Sequence, residues 1–102
     1  MIMANRPHRT PKEVEALRRA LSERGLLETL KQICKEYNVL LESVLMGRRN
    51  TRVVHARDAC IAKVLKVPMS CVEAGELFGM DHTSIICARQ RYEARDRGRL
   101  LT

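Results

Sequence analysis

Aromatic side chains are nearly missing from this chain: Tyr37, Phe78 and Tyr92 are the only three, and tryptophan does not occur. A sequence of 102 residues that is 45% hydrophobic must therefore build its interior from Leu, Val, Ile, Met and Ala. Strands favour aromatic and β-branched residues, so this scarcity points away from a β-sandwich and toward packed helices. No hydrophobic run approaches the roughly 18 residues that a membrane-spanning helix needs. The stretch Met1 to Pro7 holds no apolar run long enough for a secretory signal. These two absences lead us to expect a cytoplasmic protein. The four cysteines, Cys34, Cys60, Cys71 and Cys87, form no C-x-x-C pair. Most fall at apolar positions of predicted helices, where a free thiol acts as a small hydrophobe, so neither a disulfide framework nor a metal site is expected.

Catalytic constellations are missing too. There is no G-x-x-x-x-G-K-[ST] phosphate loop, and no cofactor is expected. His82 and Cys87 are five residues apart, whereas a shared helical face needs a spacing of three or four. The sequence gives no reason to expect an enzyme.

What the chain does have is positive charge, +7 overall, which favours a polyanionic partner without specifying a fold. Its distribution is uneven. From Lys12 to Gly47 six basic and six acidic residues cancel, whereas from Arg48 onward eleven basic residues face six acidic ones. The first half reads as a solvated helical surface, and the second half holds the basic residues available for a binding site.

Residues 1–10 read as a flexible basic arm. Thr10-Pro11-Lys12-Glu13 is a capping box with proline at the first helical position. The helix it opens carries Val14, Leu17 and Leu21 at helical spacing and stops at Gly25. Helices follow at about 26–37, with Leu27, Leu30, Ile33, Cys34 and Tyr37 inward, and at 39–46, with Leu41, Val44 and Leu45 inward. After a polar loop over 47–52 comes a helix over 53–67, its inward face formed by Val53 or Val54, Ala56, Cys60, Ile61, Val64 and Leu65. Ser70-Cys71-Val72-Glu73 is a second capping box. It opens a short helix with Val72, Leu77 and Phe78 inward. Gly79-Met80 makes a turn, Asp81 caps the last helix toward Arg97, and residues 98–102 read as a frayed tail. The expectation is one all-α domain over 11–97, with five to six helices and a helix-turn-helix at about 70–97.

The last helix opens with Asp81-His82-Thr83-Ser84, short hydrogen-bonding side chains placed where a helix can touch a ligand. Upstream lie Arg48, Arg49 and Arg52, then Val53-Val54-His55-Ala56-Arg57. Together these elements resemble the C-terminal DNA-binding domain of the bacterial replication initiator DnaA. That family joins a basic loop and a V-V-x-A-R-type helix start to a helix-turn-helix whose second helix opens with D-H-T-T. The resemblance covers roughly residues 27–97. It departs from the family at Gly79-Met80, one residue shorter than the usual Gly-Gly-Arg and without its arginine, and at Ser84, which stands for the second threonine. The preferred sequence is therefore free to differ from the family's A/T-rich nonamer.

The resemblance implies a double-stranded DNA partner, with Asp81, His82 and Thr83 at base edges of the major groove and Ser84 beside them. The chemistry agrees, since Asp accepts from a cytosine amino group and the Thr methyl can rest on thymine. Asp81 has a plainer role available as a helix cap. Arg48, Arg49 and Arg52 suit a narrow minor groove or phosphates, or form a merely solvated loop. The family places a minor-groove arginine in this loop, and any of the three could be it. Arg57, Lys63 and Lys66 lie at positions compatible with phosphate contacts, and at least one of Arg89 and Arg91 is expected to point at the DNA backbone. Met1 leads us to expect a complete small protein, and the missing phosphate loop one that marks DNA without opening it. Its expected role is regulation of transcription or replication by site occupancy. The alternative is a protein-interaction module, a homodimer formed through residues 11–25.

Overall fold

Both capping boxes form, and they fix two of the helix starts. The Thr10 hydroxyl accepts from the Glu13 N–H at 3.2 Å while the Glu13 carboxylate accepts from the Thr10 N–H at 2.8 Å. Ser70 and Glu73 repeat the exchange at 3.1 and 3.2 Å. The computed structural model describes residues 9–67 and 69–101. Among them are six helices and no strand: α1 (Pro11–Glu23), α2 (Leu27–Glu36), α3 (Leu41–Met46), α4 (Thr51–Lys66), α5 (Cys71–Phe78) and α6 (His82–Leu101). The expected all-α class is what the chain adopts. Residues 1–8 of the expected arm lie outside the described residues.

α4 occupies the middle. It packs against α2, α3, α5 and α6, and its buried residues Val53, Ala56, Asp58, Ala59, Cys60, Ile61, Ala62 and Val64 fall around its whole circumference. It begins two residues earlier than its apolar pattern predicts, because the Asn50 side chain accepts from the Val53 N–H at 3.0 Å and draws Thr51 and Arg52 into the first turn. α6 likewise continues through Gly98 to Leu101, past Arg97.

The core is aliphatic as expected, with Leu21, Leu30, Leu45, Ile61, Val64 and Ile85 fully buried around the single phenylalanine, Phe78. Burying each such side chain contributes on the order of 1.5–3 kcal/mol. Val72 was expected inward and is not: it lies exposed on α5. Cys34 and Cys60 are buried side by side with their sulfurs 3.9 Å apart, Cys71 is half-buried and Cys87 exposed. The hydrogen bond to Cys34, followed by burial, raises the Cys60 thiol well above its usual range.

The strip on α1 packs on the chain's own core, with Val14 and Leu21 buried. Arg18 pairs with Glu42 of α3, and Arg24 reaches Glu73 of α5 at 3.4 Å. The apolar surface that a dimer through residues 11–25 would use is already covered.

α5 and α6 are joined by Gly79, Met80 and Asp81 alone. Gly79 sits at φ 66°, in the left-handed region that favours glycine. The Met80 N–H donates to the Gly75 carbonyl at 2.8 Å. This folds the turn so closely over α5 that a methyl group at Gly75 would collide with the Met80 carbonyl. Gly75→Ala should therefore lower stability by about 1–3 kcal/mol. Thermal melting checks this, and an unchanged midpoint would show that the turn can open without cost.

Candidate nucleic-acid interface

The start of α6 is secured by one side chain. Asp81 Oδ1 accepts from the Ser84 N–H at 2.8 Å. That backbone bond, assisted by the Ser84 hydroxyl, holds the Asp81 carboxyl below its usual range. With the cap assigned to Asp81, His82 and Thr83 carry no structural duty and stand exposed, while Ser84 is half-buried. The inward side of α6 is Ile85 and Ala88, both buried.

Beside this helix start is a cleft of about 370 Å³, lined by Arg57, Asp81, Thr83, Ser84, Cys87 and Arg91, with Met80 at its edge. The structure thus brings Arg57 and Arg91 to the same place as three of the four proposed base-reading residues. His82 faces a neighbouring hollow with Val72 and Glu76.

Arg57 is half-buried. Its Nη1 donates to the Arg48 carbonyl at 3.4 Å, and its Nε is buried without a partner among the described residues. Burial lowers its pKa most; Asp58 opposes this, and the positive charges of Arg91, Arg9 and Arg49 add to it. The guanidinium nevertheless remains a cation at any ordinary pH. Arg9, Arg49 and Arg91 are therefore electrostatic neighbours of Arg57.

Arg9 is placed by carbonyls at two helix ends. Its N–H donates to the Met46 carbonyl at 2.9 Å and its Nη1 to the Leu45 carbonyl at 2.9 Å, both at the end of α3. Its Nη2 donates to the Gly79 carbonyl at the end of α5.

Arg91 is held differently. Its Nε and Nη2 donate to Asp58 Oδ2 and Oδ1 at 3.2 and 3.1 Å, and Arg95 Nη1 adds a contact to Oδ2 at 3.2 Å. Asp58 has no exposed surface and is the one buried charged side chain among the described residues. Its hydrogen bond raises the pKa of Arg91.

The remaining residues divide. Arg48 and Arg49 lie exposed on the loop after Gly47, and Arg52 is exposed in the first turn of α4. Arg89 is half-buried with its Nε buried and without a partner among the described residues, and it does not line the cleft. Lys63 and Lys66 line a separate groove of about 980 Å³ between α2 and α6, together with Glu28, Glu36, Tyr37 and Tyr92. They are not brought to the start of α6. Six residues separate Lys63 from Arg57, and at about 100° per residue this turns the two side chains about 120° apart on α4.

Sequence reasoning missed Arg9 and Asp58 as members of this region. Asp58 did carry a signal, as the lone acid among the basic residues of its helix. Arg9 carried none, since its role depends on carbonyls 36 and 70 residues away.

The chain is similar to the chromosomal replication initiator protein DnaA of Mycoplasma genitalium, with 30% identity over 63 residues. The matched region is 61% of this chain and 14% of that protein, so the chain spans a small part of the relative's length. This supports a DnaA-like relationship. No protein-family model and no solved structure matches the chain. No helix among the described residues is long and apolar enough to cross a membrane.

The Asp81 cap gives a direct expectation. Asp81→Ala should lower the melting temperature and Asp81→Asn should lower it much less, because asparagine also caps. The folded carboxyl has the lower pKa, so its stabilisation is full above the unfolded value and fades as pH falls through the folded one. Melting of both variants near neutral pH and in acid checks this; equal losses for Ala and Asn would remove the cap.

Proposed function

We propose that this chain is a sequence-specific double-stranded DNA-binding protein, built like the C-terminal domain of DnaA, with α5, the three-residue turn and α6 acting as a helix-turn-helix. The observation that carries the reading is an exposed His82-Thr83 helix start beside a cleft that Arg57 and Arg91 line, with Arg9 bonded to the Gly79 carbonyl of the preceding turn. The first turn of α6 enters the major groove, about 12 Å wide. There Thr83 and His82 meet base edges, while Asp81 divides its carboxylate between the cap and any cytosine amino group within reach. Arg57 sits beside that turn and takes a phosphate. The exposed loop of Arg48 and Arg49, with Arg52 behind it, takes the adjacent minor groove or its phosphates. The similarity to DnaA supports a role at DNA, and occupancy of sites would let the protein regulate replication or transcription in the cytoplasm.

Binding by phosphate contacts releases counterions, so log K should fall linearly with log salt. With about four to six arginines engaged, the slope should be roughly −4 to −5. A duplex titration over a range of salt measures it, and a flat response would end this reading.

Base and backbone contacts should separate on substitution. His82→Ala or Thr83→Ala should cost about 1–3 kcal/mol on the duplex selected from random sequence and little on random DNA. Arg57→Ala should weaken both alike, whereas Lys63→Ala, in its own groove, should alter neither much. If His82→Ala lowered selected and random binding equally, α6 would not be reading bases.

A further inference from the structure

We infer that Asp58 is a positioning residue for the proposed DNA interface: its buried carboxylate holds Arg91 so that the guanidinium faces the cleft shared with Arg57 and Thr83 and meets a backbone phosphate there. The inference rests on the DNA-binding reading and adds to it the residue that aims one of its phosphate contacts.

Net stability gives no reason to prefer this arrangement over apolar packing at the same place. A fully buried carboxylate is costly even when paired, and apolar replacements of buried ion pairs are often as stable or more so. Asp58 nevertheless sits on α4 among Ala59, Cys60, Ile61 and Ala62, with no exposed surface. Its two partners differ in where they lie. The Arg95 side chain is 27% exposed and continues into the interior, with a buried Nη2 that has no partner among the described residues. The Arg91 side chain is 48% exposed and lines the cleft with Arg57, Thr83, Ser84 and Cys87.

The bonding pattern sets the direction. Arg91 binds side-on, giving Nε and Nη2 to the two carboxylate oxygens. A side-on fork fixes the guanidinium plane. It also leaves Nη1, which has no hydrogen-bond partner among the described residues, on the edge away from Asp58. An arginine fixed on one edge loses little freedom when its other edge meets a phosphate, and pre-ordering of this kind is worth affinity. A lysine could not serve both partners, because its ammonium is a single point of charge.

The competing effect has the opposite sign. If Asp58 merely neutralises Arg91, removing its charge would free a cation and tighten binding to DNA. If Asp58 aims Arg91, removing its charge weakens binding although the protein becomes more positive.

The test uses the full chain, a duplex selected from random sequence and a random duplex. Dissociation constants are measured for the wild type, Asp58→Asn, Arg91→Met and the double variant, with thermal melting of each. Asp58→Asn and Arg91→Met should each weaken both duplexes about ten-fold, and the double variant should be no worse than Arg91→Met alone, because contacting partners are not additive. Tighter or unchanged binding by Asp58→Asn overturns the inference, and so do fully additive losses, which would show that the two residues act on DNA binding independently. If Asp58→Asn fails to melt cooperatively, Arg91→Lys decides. It keeps the charge and loses the fork, so it should bind as poorly as Arg91→Met, and wild-type affinity would overturn the inference. A wild-type chain that binds neither duplex defeats the DNA-binding reading itself, and the positioning role with it. That result is distinct from a wild type that binds while Asp58→Asn binds equally well.

Discussion

Placing one carboxylate beneath a layer of aliphatic side chains commits the neighbouring helices to an arrangement. Removing Asp58 from water costs several kcal/mol unless cations stay on it, and the cations come from α6, ten and fourteen residues beyond its Asp81 cap. α6 is therefore held on α4 by charge at its middle as well as by Ile85 and Ala88 near its start. Rotating α6 about its axis would expose those two side chains and strip Asp58 of its partners together. The face that Thr83 presents is consequently set by interactions well inside the helix.

The fold was largely legible because its punctuation is local. Thr10 with Glu13 and Ser70 with Glu73 define two helix starts through side chains three residues apart, and Gly47 and Gly79 end helices in the left-handed conformation that glycine tolerates. The start of α4 was misplaced because Asn50 was counted with the arginines of its loop and not as a cap. Asp58 was illegible for a different reason. Apolar periodicity assumes that a helix has an outside, and the middle of α4, Asp58 to Ala62, is buried on every side, so a position opposite its apolar stripe is still interior.

The candidate site was legible in part. Asp81, Thr83, Ser84, Arg57 and Arg91 do converge on one cleft, because the first four belong to two helix starts whose placement follows from caps and turns. Lys63 and Lys66 do not join them, since like charge on one helix says nothing about which side of that helix it occupies. Across the basic half of the chain the surplus charge is thus divided between two grooves. One sets Arg57 and Arg91 beside Asp81 and small polar side chains, and the other carries Glu28 and Glu36 with its lysines.

The short turn over Gly75 also bears on how such a protein can change over generations. The residues that hold the shape of this corner, Gly75, Gly79 and the Asp81 cap, are separate from the two that stand free, His82 and Thr83. A lineage could exchange the free pair repeatedly, trying new hydrogen-bonding patterns, without disturbing the frame that presents them. Exchanges at the free pair would carry little structural risk, whereas a change at Gly75 or Gly79 would strain the corner itself.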